Sequence, residues 1–330
     1  MKYLILILLS LCSYSIDLSG QIIMPTPGKI ERADGRLRLQ GKIRMYAEES
    51  PGSFIRLFYE KLVPESAVEW CKEEVNSHIS WKKDVTLPTE GYRIRVTPER
   101  IIVEAADDAG FIYAIQSLRQ WNTGEERGLI FPCVEITDFP RVKWRSFMLD
   151  SGRQYQKVST IKKYIDMASM LKMNYFHWHL TEGLGWRIEI KRYPFLTRIG
   201  AFVGQGPEQQ GFYSQEEVKE IIGYAADRGI TVVPEIDMPG HAEAALNAYP
   251  RLGCFNVAVK VPQSGFTQNI FCAGKDSTLI FLKNVLDEVC RMFPSAYIHL
   301  GGDEAPKGNW DKCPDCRSRI EKEKLKDSHD

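Results

Sequence analysis

Seven groups in this chain have the type and spacing to do chemistry. Asp303 and Glu304 are adjacent acids that follow Gly301-Gly302 and an apolar run, Ala296-Tyr-Ile-His-Leu300. Two acids held differently in one cleft can have their proton affinities pushed apart, so that one acts as an acid. Glycines before them let a substrate approach the backbone closely. If extended geometry continues, the two side chains alternate in direction and meet different atoms of one substrate. His241 lies four residues after Asp237 in Pro234-Glu-Ile-Asp-Met-Pro-Gly-His241, a spacing that lets the acid fix the imidazole tautomer. His177 and His179 sit two apart on an apolar stretch and face the same way. Arg153 ends Asp150-Ser-Gly-Arg153, and a guanidinium offers a fixed fork of donors.

The elements that must position these groups are legible by period. Apolar runs at 145–150, 175–180, 230–236 and 296–300 read as strands. The third is apolar on both faces, as buried parallel strands are. Between them lie helical patterns: 161–171 capped by Ser159 or Thr160, 218–225 behind a Ser214-Gln-Glu-Glu217 capping box and ended by Asp227-Arg-Gly229, and 279–289. A last helix begins near Cys316. Alternating strands and helices imply a parallel sheet. No GxGxxG or Walker sequence follows any strand, and each strand ends in polar, glycine-containing sequence, which favours a (β/α)₈ barrel over a doubly wound sheet. A barrel takes about 250 residues, whereas 190 follow Pro140. The fold class is therefore α/β: the first half of a (β/α)₈ TIM barrel, preceded by a small α+β domain. A half barrel would expose two sheet edges.

The preceding segment has a different texture. Gly91-Tyr-Arg-Ile-Arg-Val-Thr97 and Ile101-Ile-Val-Glu-Ala105 flank Pro98-Glu99-Arg100 as a hairpin, and 109–121 has a helical period. Residues 54–63 and 67–71 are ambiguous between helix and strand. This stretch holds no cluster of reactive groups and reads as an accessory domain. The organisation is thus a signal peptide over 1–20, an α+β domain over 21–140, and a catalytic barrel domain over 141–330 with its first four βα units.

The leader reading rests on Met1-Lys2, an apolar run from Tyr3 to Leu11, and small residues at Ser13, Ser15, Ser19 and Gly20. The run is too short for a membrane span of about twenty residues but fits a signal core. Export to the periplasm, cell surface or medium is the expectation. Cys12 is a poor lipid-anchor match because Leu11 precedes it. Of the seven cysteines that follow, Cys290 reads as a free buried thiol, Cys254 and Cys272 as a possible bridge, and Cys313-Pro-Asp-Cys316 as a local bridge, inert thiols or, least favoured, metal ligands. A zinc site needs about four ligands and no second CxxC exists, so no metal and no cofactor is expected. Lys plus Arg and Asp plus Glu both number 43, which removes the basic footprint that a nucleic-acid partner would need.

With these motifs in order, a resemblance is plain. Phe147-Met-Leu-Asp-Ser-Gly-Arg153, Trp178-His-Leu-Thr-Glu-Gly-Leu-Gly-Trp-Arg-Ile-Glu-Ile190, Pro234–His241 and His299-Leu-Gly-Gly-Asp-Glu304 resemble the family 20 glycoside hydrolases, which are β-N-acetylhexosaminidases. The resemblance implies an exo-acting enzyme that removes terminal β-linked GlcNAc or GalNAc from glycans or chitooligosaccharides. It implies Glu304 as general acid and base and Asp303 as the residue that orients the substrate's 2-acetamido group. The acetamido oxygen is then the nucleophile, an exception to the usual carboxylate. Arg153 matches the arginine that binds sugar hydroxyls, and His241, Asp237, Glu182 and His179 support the site. Where the family usually reads Asp-Asp after His-Leu-Thr, this chain has Glu182-Gly183, which leaves the partner of His241 open. Two other readings compete: a non-catalytic carbohydrate-binding fragment, and a metal-dependent amidohydrolase built on His177-Trp-His179.

Overall fold

The structure, a computed structural model, describes residues 22–124, 128–204, 206–207, 210–261 and 267–330. The expected leader over 1–20 lies outside them. Among the described residues no helix is long and apolar enough to cross a membrane. The chain divides into two units. One comprises the described residues through Ser50 together with Phe58–Phe139, and the other Pro51–Leu57 together with Pro140–Asp330.

In chain order the first elements are β1 (Lys29–Leu39), β2 (Ile43–Ala47), α1 (Phe54–Lys61), β3 (Val68–Trp70), β4 (Ile79–Lys83), β5 (Tyr92–Val96), β6 (Ile101–Ala105), α2 (Asp108–Trp121) and β7 (Leu129–Asp138). The strands form one seven-stranded sheet in the order β1-β7-β5-β6-β4-β2-β3. β5 and β6 pair antiparallel, as their alternation and the Pro98 turn require. Their inward residues Tyr92, Ile94, Val96, Ile101, Val103 and Ala105 are all buried. Asp107 caps α2 by accepting from the Gly110 N–H at 2.9 Å. Gly110 itself is needed for closeness, since a Cβ there would fall 2.4 Å from the Gly91 carbonyl oxygen. The ambiguous stretches resolve as α1 and β3.

The second unit continues with β8 (Ser146–Asp150), α3 (Val158–Met170), β9 (Tyr175–His179), a small hairpin β10 (Thr181–Glu182) and β11 (Gly185–Trp186), α4 (Phe195–Arg198), α5 (Gln215–Ala226), β12 (Thr231–Glu235), α6 (Glu243–Ala248), α7 (Asp276–Met292), α8 (Gly308–Lys312) and α9 (Pro314–Glu323). β8, β9 and β12 pair in parallel and in sequence order. The fourth strand differs from expectation. Around 296–300 only His299 forms a parallel bridge, to Glu235. The ladder is nonetheless present, because His299 N donates to Pro234 O, Ile236 N to His299 O, and Met238 N to Leu300 O. These bonds all lie on one side, so the segment is a short edge, and Tyr297 and Leu300 are exposed. This is the expected architecture, the first half of a TIM barrel.

The helices pack on the sheet by their apolar stripes. Ile161, Ile165 and Ala168 of α3, Val218, Ile221 and Ala225 of α5, and Val285 and Val289 of α7 join Phe176, Trp178 and Val232 in one core. Tyr164 and Leu171, although apolar at plausible spacing, face solvent. The capping box at Ser214 and Glu217 forms in full. The cap expected at Ser159 or Thr160 does not: α3 starts one residue after Lys157, which leaves both hydroxyl residues inside its first turn. Trp178 is core, with Nε1 donating to Ser151 Oγ at 2.9 Å. Trp186 is buried as well.

Candidate active site

Every strand of the second unit delivers its polar end to the same region. The organiser is His241. Its Nδ1 lies 2.6 Å from Glu182 Oε1, and its Nε2 lies 3.5 Å from Glu304 Oε2, 3.8 Å from Asp303 Oδ2 and 4.0 Å from Asp237 Oδ2. One buried imidazole therefore faces four carboxylates from three strand ends. The ion pair with Glu182, opposed by burial and helped by the charges of Glu182, Asp237 and Asp303, raises its pKa to about 9. It is a cation at neutral pH. Glu182 answers the question left by the substitution at 182–183: its carboxylate, fully buried, holds His241 on one side and Arg153 Nη2 on the other at 2.8 Å. Asp237, expected to set the His241 tautomer, is the more distant partner.

Arg153 is fixed by two acids. Nη1 donates to Asp150 Oδ2 at 2.6 Å and Nη2 to Glu182 Oε1, while the side chain stays 44% exposed. That leaves donors facing outward. Its backbone is braced by Arg187, which the sequence did not single out. Arg187 is buried, and its five hydrogen bonds all go to carbonyls, those of Ser151, Gly152, Leu184, Ala201 and Gly211. Burial without a carboxylate partner lowers its pKa to about 10. The fork shape suits this role, and a lysine could not reproduce it.

Asp303 and Glu304 do not alternate as extended residues would. Gly301, Gly302 and Glu304 all have positive φ, of 65°, 106° and 43°. The strand has ended, and the chain turns so that both carboxylates approach the same His241 ring. A Cβ on Gly301 would sit 1.7 Å from Asp237 Oδ1, so only glycine fits there. His241 also has a positive φ, 49°. Strained backbone at two non-glycine residues in one cluster is a mark of a functional site. The side chains of Asp303 and Glu304 are 69% and 62% exposed, open to a ligand.

Asp237 is buried against this loop. Its Oδ1 accepts from Gly302 N at 3.2 Å, its backbone N–H donates to Thr181 Oγ1 at 2.8 Å, and its Oδ2 has no hydrogen bond. Burial raises its pKa to about 6, against the Gly302 N–H and the His241 charge. His179 is one step removed. Its Nε2 donates to the Thr181 carbonyl at 2.8 Å and its Nδ1 faces Glu235 at 3.6 Å. It does not touch the acid pair. His177, at 2.6 Å, and His299, at 3.0 Å, face the same Glu235. Burial opposes charge on Glu235, but the bond from His177 and the three nearby rings hold its carboxyl below the usual range. This hub beneath the site was not singled out in the sequence. The only signal was period two on neighbouring parallel strands, which Glu235 and His179 share as register partners.

The cysteine expectations need correction. Cys290 is exposed, not buried, because α7 turns it away from the face carrying Val285 and Val289. Cys313 and Cys316 are not bridged to each other, nor Cys254 to Cys272: all four are free and converge in one buried cluster. The expectation of no metal at these residues rested on counting one CxxC, and tertiary folding supplies the other two thiols.

The pKa values have a consequence for stability. A histidine raised from 6.5 to about 9 contributes stability that is complete below about 6.5 and is lost as pH rises through about 9. An aspartate raised from 3.8 to about 6 likewise favours the folded state at low pH and stops doing so by about 6. Both contributions therefore fall as pH rises, in separate windows. The melting temperature should drop between pH 6.5 and 9 in the unaltered protein and drop less in His241→Gln, as followed by differential scanning calorimetry. Parallel curves would show that the imidazolium is not the stabilised form.

Residues 142–330 match the family described as glycosyl hydrolase family 20, catalytic domain, and residues 21–139 match its domain 2. A β-hexosaminidase of Porphyromonas gingivalis is 41% identical over 94% of this chain, which spans 42% of that protein. The crystal structure of a β-N-acetylhexosaminidase from Bacteroides fragilis superposes with a TM-score of 0.90 at 98% identity, over 94% of this chain and 62% of that one. An exo-β-N-acetylglucosaminidase from Vibrio harveyi, solved with N-acetylglucosamine, gives 0.85 at 31% identity, over 93% and 50%. The chain thus spans less than two thirds of the length of these relatives. It belongs to glycosyl hydrolase family 20.

Proposed function

We propose that this chain carries the acid-base half of an exo-acting β-N-acetylhexosaminidase that works with retention of configuration through its substrate's own acetamido group. The observation that supports this best is the sharing of one imidazolium, His241, by Asp303 and Glu304 beside the outward donors of Arg153. In this reading Glu304 gives its proton to the glycosidic oxygen as the bond to the anomeric carbon breaks. The acetamido oxygen attacks that carbon and closes a five-membered oxazolinium ring. Asp303 accepts the acetamido N–H and stabilises the positive charge that develops on nitrogen. Glu304, now a carboxylate, takes a proton from the water that reopens the ring. Arg153 holds the hydroxyls of the terminal sugar. His241 keeps two neighbouring carboxylates close without letting their repulsion open the site, and Asp237 and Glu182 hold His241.

The amidohydrolase alternative finds less support. His177 and His179 do converge, but on the carboxylate of Glu235, and His179 Nε2 already donates to a carbonyl. The fragment reading is favoured by one observation, the share of the relatives' length that this chain spans. It predicts sugar binding without turnover by the 330 residues alone.

Release of nitrophenol from a β-N-acetylglucosaminide, with the matching β-glucoside as control, tests the proposal. The assay is run on this chain and on a chain of the Porphyromonas relative's length. Turnover of the acetamido substrate and none of the glucoside is expected from the longer protein. A folded longer protein that cleaves neither would overturn the assignment.

A further inference from the structure

The four buried cysteines lie away from the acid cluster and take no part in the reaction proposed above. Two come from one loop. Cys254 and Cys272 flank it, and the backbone bridge between Gly253 and Phe271 brings its ends together. The other two come from the turn into α9, where Cys313 is the residue before the helix, Pro314 is its first residue and Cys316 lies on its first turn. Gly274 lets the two backbones meet, since a Cβ there would fall 2.3 Å from both Asp315 C and Cys316 N. Trp310 covers the cluster, with Nε1 donating to Phe271 O at 2.9 Å.

The sulfur geometry has a definite meaning. Cys272 Sγ lies 3.5 Å from Cys316 Sγ and 3.8 Å from Cys313 Sγ, and Cys254 Sγ lies 4.0 Å from Cys316 Sγ. All four sulfurs are within 4.8 Å of one another. A tetrahedron with metal–sulfur bonds of about 2.3 Å has sulfur–sulfur edges of about 3.8 Å, which is the zinc tetrathiolate. A disulfide holds its sulfurs at about 2.05 Å and joins them in pairs, so it explains neither the separations nor the four-fold convergence. Beyond the contacts of the sulfurs with one another, Cys313 Sγ meets the Cys254 carbonyl at 3.9 Å, a weak bond that does not by itself account for four thiols gathering at one buried point.

We propose that Cys254, Cys272, Cys313 and Cys316 bind one zinc ion in a closed tetrahedral site. With four protein ligands it has no open position, so its role is structural. It ties the 253–275 loop to the chain that leaves Glu304. That loop carries Thr267, whose hydroxyl donates to Glu243 at 2.6 Å, and Gln268, whose carbonyl accepts from Asn309 at 2.7 Å. The ion would thus fix the exit of the acid-bearing turn. The inference stands whether or not the hydrolase assignment does.

The test is elemental analysis of the protein purified without added metal, combined with thiol alkylation and mass spectrometry in denaturant. The expected result is about one zinc per chain, with these four cysteines protected until a chelator is added. Cys272→Ser and Cys313→Ser should each lose the zinc, and Cys71→Ser and Cys290→Ser should keep it. If the serine variants do not fold, cobalt exchanged into the unaltered protein decides. A tetrahedral spectrum with thiolate-to-cobalt charge transfer supports the site, and an octahedral spectrum overturns it. Two disulfides among the four cysteines, four free thiols with no metal, or zinc retained in both serine variants would each overturn it too.

Discussion

Glu304→Gln should lower kcat/KM on β-N-acetylglucosaminides with poor leaving groups by about 10²- to 10⁴-fold, the usual worth of a positioned general acid. The amide cannot supply a proton, but it keeps the shape of the carboxyl and the 3.5 Å approach to His241. The loss should shrink as the leaving group improves, because a dinitrophenolate departs without protonation. Opening of the oxazolinium ring should still be slowed if, as proposed, the same residue activates water. A ladder of aryl glycosides, read as a plot of rate against leaving-group acidity, separates these steps. An equal loss at every leaving group would assign Glu304 a binding role and remove it from proton transfer.

Much of this site was legible from the chain because its determinants are local. The Gly301-Gly302-Asp303-Glu304 and Asp237–His241 segments each lie within a few residues at the end of one strand, where barrel folds collect their chemistry. The capping box at Ser214 and the hairpin at 92–105 were legible for the same reason. What could not be read was whatever depends on two distant segments meeting. Glu235 looks like one more residue of a buried strand until its register with His179 and its bridge to His299 are known. Arg187 looks like a surface charge until five carbonyls are seen around it. The convergence of Cys254 and Cys272 with Cys313 and Cys316 became visible only when Gly274 brought one loop onto the start of α9.

Two departures came from backbone geometry. Strand alternation continued past Leu300 places Asp303 and Glu304 on opposite sides, yet the positive φ values of Gly301, Gly302 and Glu304 turn the chain. Side chains expected to diverge then converge on His241. The segment 296–300 likewise pairs on one side, through one bridge and three backbone hydrogen bonds to 234–238, where a full strand was expected. Apolar period alone cannot report how many neighbours a strand has.

Asp303→Asn carries the second large effect. It replaces a carboxylate with a neutral group of the same shape, so the acetamido N–H loses its charged acceptor and the ring nitrogen loses the charge that stabilises it. Removing one such preorganised group costs about 10²- to 10³-fold in kcat. Because the side chain is 69% exposed, stability should change by no more than about 0.5 kcal/mol. A large loss of rate with an unchanged melting temperature is the expected pattern. A rate loss matched by unfolding would instead make Asp303 a structural partner of His241.

The role of the substrate's amide is tested most directly by placing zero, one, two or three fluorines on the N-acetyl methyl of one aryl glycoside. Fluorine drains electron density from the acyl oxygen without changing the leaving group. If that oxygen is the nucleophile steered by Asp303, kcat/KM will fall steeply with each fluorine in the unaltered enzyme. A rate indifferent to fluorination would mean that a carboxylate or water attacks the sugar, and the division of labour between residues 303 and 304 would be wrong.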